Sequence, residues 1–111
     1  MSECIFDQIA QGKIPSEIVY QDETVLAFKD IHPKAPVHVL IIPKKHIASM
    51  LEITPPDLPL VAHMLEAANI VAKQNNLTAY KLVINTGPEA GQAVMHLHMH
   101  LLGGKKINAL V

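Results

Sequence analysis

The chain has 111 residues, half of them apolar and only 4% aromatic, a length and composition that suit one domain over residues 1–111 with an aliphatic, methionine-filled core. Nine basic residues against ten acidic ones leave a net charge of −1 with no basic stripe, which excludes a binder of nucleic-acid backbones. Cys4 is the single cysteine, so no intrachain disulfide forms, and a reducing compartment is the simpler expectation. No apolar run approaches the roughly 18 residues needed to span a bilayer, and the first residues carry no signal-peptide pattern. The expectation is a cytoplasmic protein with no membrane partner.

In chain order, Cys4 to Ala10 predicts a short helix with Ile5, Phe6 and Ile9 on one face and Gly12 as its stop. Glu17–Tyr20 and Val25–Phe28 predict two strands around the polar turn Gln21–Thr24. Asp30 to Pro36 carries two prolines and predicts a stiff loop, and His38–Pro43 a buried central strand. Thr54 or Asp57 is set to cap a long helix on which Val61, Met64, Leu65, Ala68, Val71 and Ala72 recur at helical spacing, ending near Asn75 and Asn76. Tyr80–Asn85 is a further strand, and after a loop with Gly87, Pro88 and Gly91 the last strand is expected over Val94–Leu102. This order predicts an α+β fold, a largely antiparallel sheet with one long and one short helix.

Chemistry concentrates in that last segment. Alternation along a strand places His96, His98 and His100 on one face and Leu97, Met99 and Leu101 on the other. At a rise of ~3.3 Å per residue, the rings would stand about 7 Å apart. Three readings follow. The histidines can simply occupy a solvated face. They can hold a metal, although the sequence shows few carboxylate or thiolate partners near the strand, and no metal is expected. Or one imidazole attacks phosphorus while the others supply donors to phosphate oxygens. Gly87, Gly91, Gly103 and Gly104 bracket the strand and would let backbone amides approach an anion.

The run His96-Leu97-His98-Met99-His100-Leu101-Leu102 resembles the signature of the histidine triad hydrolases. Ile14-Pro15-Ser16, Leu26 to Ile31, Pro33 to His38, Ile42 to His46, Gly91-Gln92 and Leu102 to Lys105 are similar to the Hint branch of that family. The resemblance implies a homodimer whose strands join in one sheet. It further implies cleavage of purine nucleoside 5′-phosphoramidates and related adenylates, with no metal or other cofactor, through a nucleotidyl-histidine intermediate. By motif position His98 is the nucleophile, His100 and His38 assist at the phosphate, and the carbonyl of His96 receives the ring proton of His98. Asp30 would hold ribose hydroxyls, and Phe28, Ile31 and Leu40 would wall the base. Asn85, Gly91 and Gln92 would face the α-phosphate and the leaving side. Taken alone, Asp30 and Asn85 also suit turn capping, and Phe28, Ile31 and Leu40 suit ordinary core packing. Ala93 stands where many Hint proteins carry a serine, so departure of the amine would lack one donor. A dinucleoside polyphosphate hydrolase and a nucleotide-binding scaffold are the alternatives. The absence of a Pro-Arg-Lys-like segment after the triad counts against the first. His32, His46 and His63 receive no role.

Overall fold

The computed structural model describes residues 4–107. Helix α1 (Ile5–Ala10) starts at a capping box in which the Cys4 thiol accepts from the Asp7 amide and the Asp7 carboxylate accepts from the Cys4 amide. It stops just before Gly12, whose φ of 76° takes the chain out of the helix. Strands β1 (Ile18–Gln21) and β2 (Val25–Lys29) form a hairpin. The Asp22 carboxylate organises its turn by accepting from the amides of Thr24 and Val25, both at 2.9 Å.

Strand β3 (Val37–Pro43) is the buried centre of the sheet. Helix α2 (Leu58–Gln74) follows a 3₁₀ turn at Pro55–Asp57, where Thr54 and Asp57 form a second capping box. Strands β4 (Tyr80–Val83) and β5 (Met99–Gly103) complete a five-stranded sheet of order β1-β2-β3-β5-β4, antiparallel at every pairing.

Alternation along the strands divides the sheet into two faces. Val25, Ala27, Val39, Ile41, Met99 and Leu101 pack with Met64, Ala67, Ala68, Val71 and Ala72 of α2 in the main core. Each large aliphatic side chain sealed there contributes roughly 1.5–3 kcal/mol. Leu26, Phe28, Leu40 and Ile42 point the other way, against Phe6 and Ile9 of α1. His38 and His100 share this second face, because Leu40 pairs with His100 and His38 with Leu102.

The last strand is shorter than its sequence pattern, beginning at Met99 rather than Val94. Two hydrogen-bond diversions account for this. Pro43, at the end of β3, has no N–H to continue the ladder, and its carbonyl accepts from His96 Nε2 at 2.8 Å. The carbonyl of His96 is taken by the ring of His98 at 2.8 Å. The amide of Leu97 donates instead to the carbonyl of Ile47. Likewise β4 ends at Val83, leaving Asn85 in the following loop.

Candidate active site

The histidine segment joins the regular strand only at Met99, after His98. His98 and His100 have ring centroids 5.1 Å apart. Phe6 of α1 meets the His98 ring edge-on at 5.1 Å and the His96 ring at 6.0 Å. All three histidines therefore sit on the α1 side of the sheet, while Leu97, Met99 and Leu101 are buried on the α2 side.

The hydrogen bonds assign the protons. A carbonyl can only accept, so His98 Nδ1 donates to His96, and in the neutral ring the lone pair lies on Nε2. That Nε2 has no hydrogen-bond partner among the described residues, and it is not a sealed orphan. At the neighbouring ring, the backbone N–H of Lys34 donates to His38 Nδ1 at 3.1 Å, which puts the neutral proton of His38 on Nε2. That proton goes to His100 Nδ1 at 3.0 Å, with the Asp30 carboxylate oxygen Oδ2 3.3 Å from the same nitrogen. His100 is then left with its own proton on Nε2. An acceptor nitrogen on His98 thus stands beside a donor nitrogen on His100.

Burial favours the neutral rings. His100 is held down to about 4, by burial first and then by the neighbouring His98 and His38 rings. Burial also lowers His38, against the opposing pull of the Asp30 carboxylate, and burial lowers His96. A cavity of about 200 Å³ opens beside this pair, lined by Asp30, His32, Lys34, His38, Val83, Asn85, His100 and Leu102. It brings together Asp30 and His38, eight residues apart, with Asn85 and His100 from the other end of the chain.

Other residues singled out from the sequence are placed differently. Phe28 and Leu40 are 3% and 6% exposed, sealed in the core beneath α1, and present no wall to a ligand in this conformation. Ile31 stands at the opposite extreme, 82% exposed on the proline-rich loop. Gln92 is buried with both ends of its amide engaged: Oε1 accepts from the Gly87 amide, and Nε2 donates to the carbonyls of Ala48 and Val94. It ties the glycine loop to the body of the protein instead of reaching for a phosphate. Gly91, at φ 95°, adopts a left-handed turn that a side chain would strain, and its α-carbon faces the Asn85 side chain. Ala93 is exposed. Gly103 is a packing glycine, since a β-carbon there would lie 2.7 Å from Leu77 Cδ1. Asp30 Oδ1 also accepts from the His32 amide, so the residue caps its own turn while its other oxygen faces His38.

Sequence reasoning missed two features. Phe6 is a direct neighbour of His98, a contact that depends on how α1 docks. The shortage of ligating partners near the histidines is also not real: Cys4, Asp7 and His46 gather around His96. The one available signal was Cys4 and Asp7 at helical i, i+3 spacing.

Residues 3–109 match the family described as scavenger mRNA decapping enzyme C-term binding. The chain is 50% identical to an uncharacterised HIT-like protein of Synechococcus elongatus, over 96% of each chain. It is 41% identical to the adenylylsulfatase HINT1 of Arabidopsis thaliana, over 96% of this chain and 75% of that one. The crystal structure of a HIT family hydrolase from Legionella pneumophila superposes with a TM-score of 0.93 at 45% identity, covering 96% of both chains. With the alternating histidines, the antiparallel sheet and this similarity along its length, the chain belongs to the histidine triad (HIT) family.

Proposed function

We propose that the protein is a nucleotide hydrolase or transferase that cleaves purine nucleoside 5′-phosphoramidates and related adenylates through a covalent nucleotidyl-His98 intermediate. The observation that carries this reading is the locked ring of His98. With Nδ1–H held by the His96 carbonyl, the nucleophilic lone pair is on Nε2, which has no other hydrogen-bond partner among the described residues. Attack of Nε2 on the α-phosphorus forms an N–P bond as the P–N bond to the amine breaks, and the amine leaves with a proton taken from water. A second water then cleaves the N–P bond, giving the nucleoside monophosphate and regenerating His98.

In this reading the His100 Nε2–H donates to a phosphate oxygen, where it strengthens as charge develops. Its lowered proton affinity keeps it a neutral donor at pH 7. Asp30 takes the ribose hydroxyls, and Asn85 with the amides around Gly91 faces the phosphate. Ile31, exposed on its loop, is free to cover a base. A homodimer belongs to the same reading: β1 and β4 are the two sheet edges, and either can add strands from a second copy. An adenylate carrying sulfate instead of an amine is the second substrate to test, because a relative at 41% identity is named an adenylylsulfatase.

The test is steady-state turnover of an adenosine 5′-phosphoramidate and of adenylyl sulfate by the wild-type protein and by His98→Ala. The expected result is turnover of one or both by wild type and a loss of several orders of magnitude in the variant. Equal rates for the two proteins would remove His98 from the chemistry.

A further inference from the structure

The loop between β2 and β3 brings Lys34 to the rim of the cavity beside His38 and His100, where the chemistry described above gives it no part. Its backbone is fixed from both sides. The Lys34 amide donates to His38 Nδ1 at 3.1 Å. Ala35, the next residue, is buried in one cluster with Val83 and Leu102, which also line the cavity. Pro33 and Pro36 stiffen the chain around this pair. The four-carbon stem of Lys34 is exposed, and its ammonium has no hydrogen-bond or ion-pair partner among the described residues.

Apart from the histidines, Asp30 and Lys34 are the charged residues that line the cavity. Asp30 is engaged elsewhere, accepting from the His32 amide and standing 3.3 Å from His38 Nε2, so it is not the counter-ion of Lys34. The ammonium is felt at the reactive rings: burial is the main cause that lowers the proton affinity of His38 and His100, and Lys34 adds to it in both. An unpaired cation beside two neutral imidazoles completes a site for an oxyanion. On the reading of this cavity as the nucleotide site, we propose that Lys34 binds the 5′-phosphoryl oxygens of the nucleotide and makes the site favour the more highly charged ligand, so that the nucleoside monophosphate product is held more tightly than its monoanionic substrate.

The preference follows from charge alone. A phosphoramidate carries one negative charge at its phosphorus. Hydrolysis leaves a monoester whose second pKa is about 6, so at pH 8 it carries two. Attraction to a fixed ammonium scales with that charge, whereas contacts to ribose and base are the same in both ligands. Lys34 therefore shifts the balance from substrate to product, and its signature in turnover is inhibition by the monophosphate. No bond forms or breaks at Lys34.

The test is a ladder of ligand charge. Dissociation constants at pH 8 are measured by calorimetry for AMP, adenosine 5′-methyl phosphate and adenosine, which carry two, one and no negative charges. The proteins are wild type, Lys34→Met, Lys34→Arg and Lys73→Met. The last removes the same charge from the final turn of α2, on the opposite face of the sheet. In Lys34→Met the expected loss is roughly fivefold for AMP, roughly twofold for the methyl ester and none for adenosine. Lys34→Arg is expected to keep the wild-type order, and Lys73→Met to leave all three constants unchanged. Inhibition of turnover by added AMP should weaken in Lys34→Met. An equal loss for all three ligands in Lys34→Met would overturn the proposal, by reducing the effect to loop structure. So would affinities equal to those of wild type, or the same graded loss in Lys73→Met. Wild-type protein that binds none of the three would remove the nucleotide site itself, and the ligand of Lys34 with it.

Discussion

At position 98 the chemistry depends on which ring nitrogen carries a proton, and a backbone carbonyl two residues back decides it. Few side chains here are free to do one thing only. Gln92 spends its whole amide on three backbone groups, so Gln92→Ala leaves the Gly87 amide and two carbonyls short of a partner. The expected cost is about 1–3 kcal/mol in denaturant unfolding, with faster proteolysis of the loop around Gly87. Gly103 is constrained by packing. A methyl there meets Leu77 Cδ1 at 2.7 Å and the Ala79 carbonyl at 3.3 Å, so Gly103→Ala is expected to lose about 1–3 kcal/mol of stability without changing the site's ligands. A midpoint equal to that of wild type would show that Leu77 moves aside freely.

Among the elements, the hairpin of β1 and β2 is fastened to α2 by a charged contact. His63 Nε2 lies 2.6 Å from Asp22, whose carboxylate also accepts from the Tyr20 hydroxyl, and Glu66 meets the other ring nitrogen at 3.0 Å. The bond to Asp22 raises the proton affinity of His63 above its ordinary value of 6.5, against some burial. A raised folded value means that this stabilisation is complete below pH 6.5 and fades as pH rises through the folded value. The buried His100 has the opposite sign: held at about 4, it makes the fold lose stability as pH falls from 6.5 toward 4. Thermal midpoints measured against pH are expected to decline on both sides of a maximum. His63→Ala should flatten the alkaline decline, and a profile unchanged by that substitution would show the contact to be inert.

The elements also show what the sequence could reveal. The two helices and the first three strands follow local rules: capping boxes at Cys4/Asp7 and Thr54/Asp57, the turn around Asp22, and the aliphatic run of β3. The last strand is shorter than the alternation of His and Leu suggests, because that pattern does not reveal that Pro43 cannot continue the ladder or that His98 captures a carbonyl from it. The placement of Phe28, Leu40 and Gln92 depended on how α1 and the glycine loop dock. The cluster around His96 depended on contacts spanning up to 92 residues, which no short motif encodes.

Across the whole molecule, the sheet separates stability from chemistry. The α2 face is continuous aliphatic core, and the α1 face carries the histidines. Met64→Ala, at a fully buried position on the α2 face, is therefore expected to cost about 2–5 kcal/mol in unfolding while turnover per folded molecule stays within a few-fold of wild type. Among the described residues no helix is long and apolar enough to cross a membrane. The two faces meet at β3 and β5, where Leu40 pairs with His100, so the rigid centre of the sheet is also the mount for the reactive rings.

The account rests on a bond between phosphorus and one nitrogen. Mixing the protein with an adenosine 5′-phosphoramidate, quenching within one turnover under alkaline conditions and mapping the digest by mass spectrometry tests it most directly. The account predicts an adenylyl group on the peptide containing His98, acid-labile as N–P bonds are, and absent from His98→Ala. Product formed with no adduct at any quench time, or an adduct on His100 or His38 instead, would contradict it.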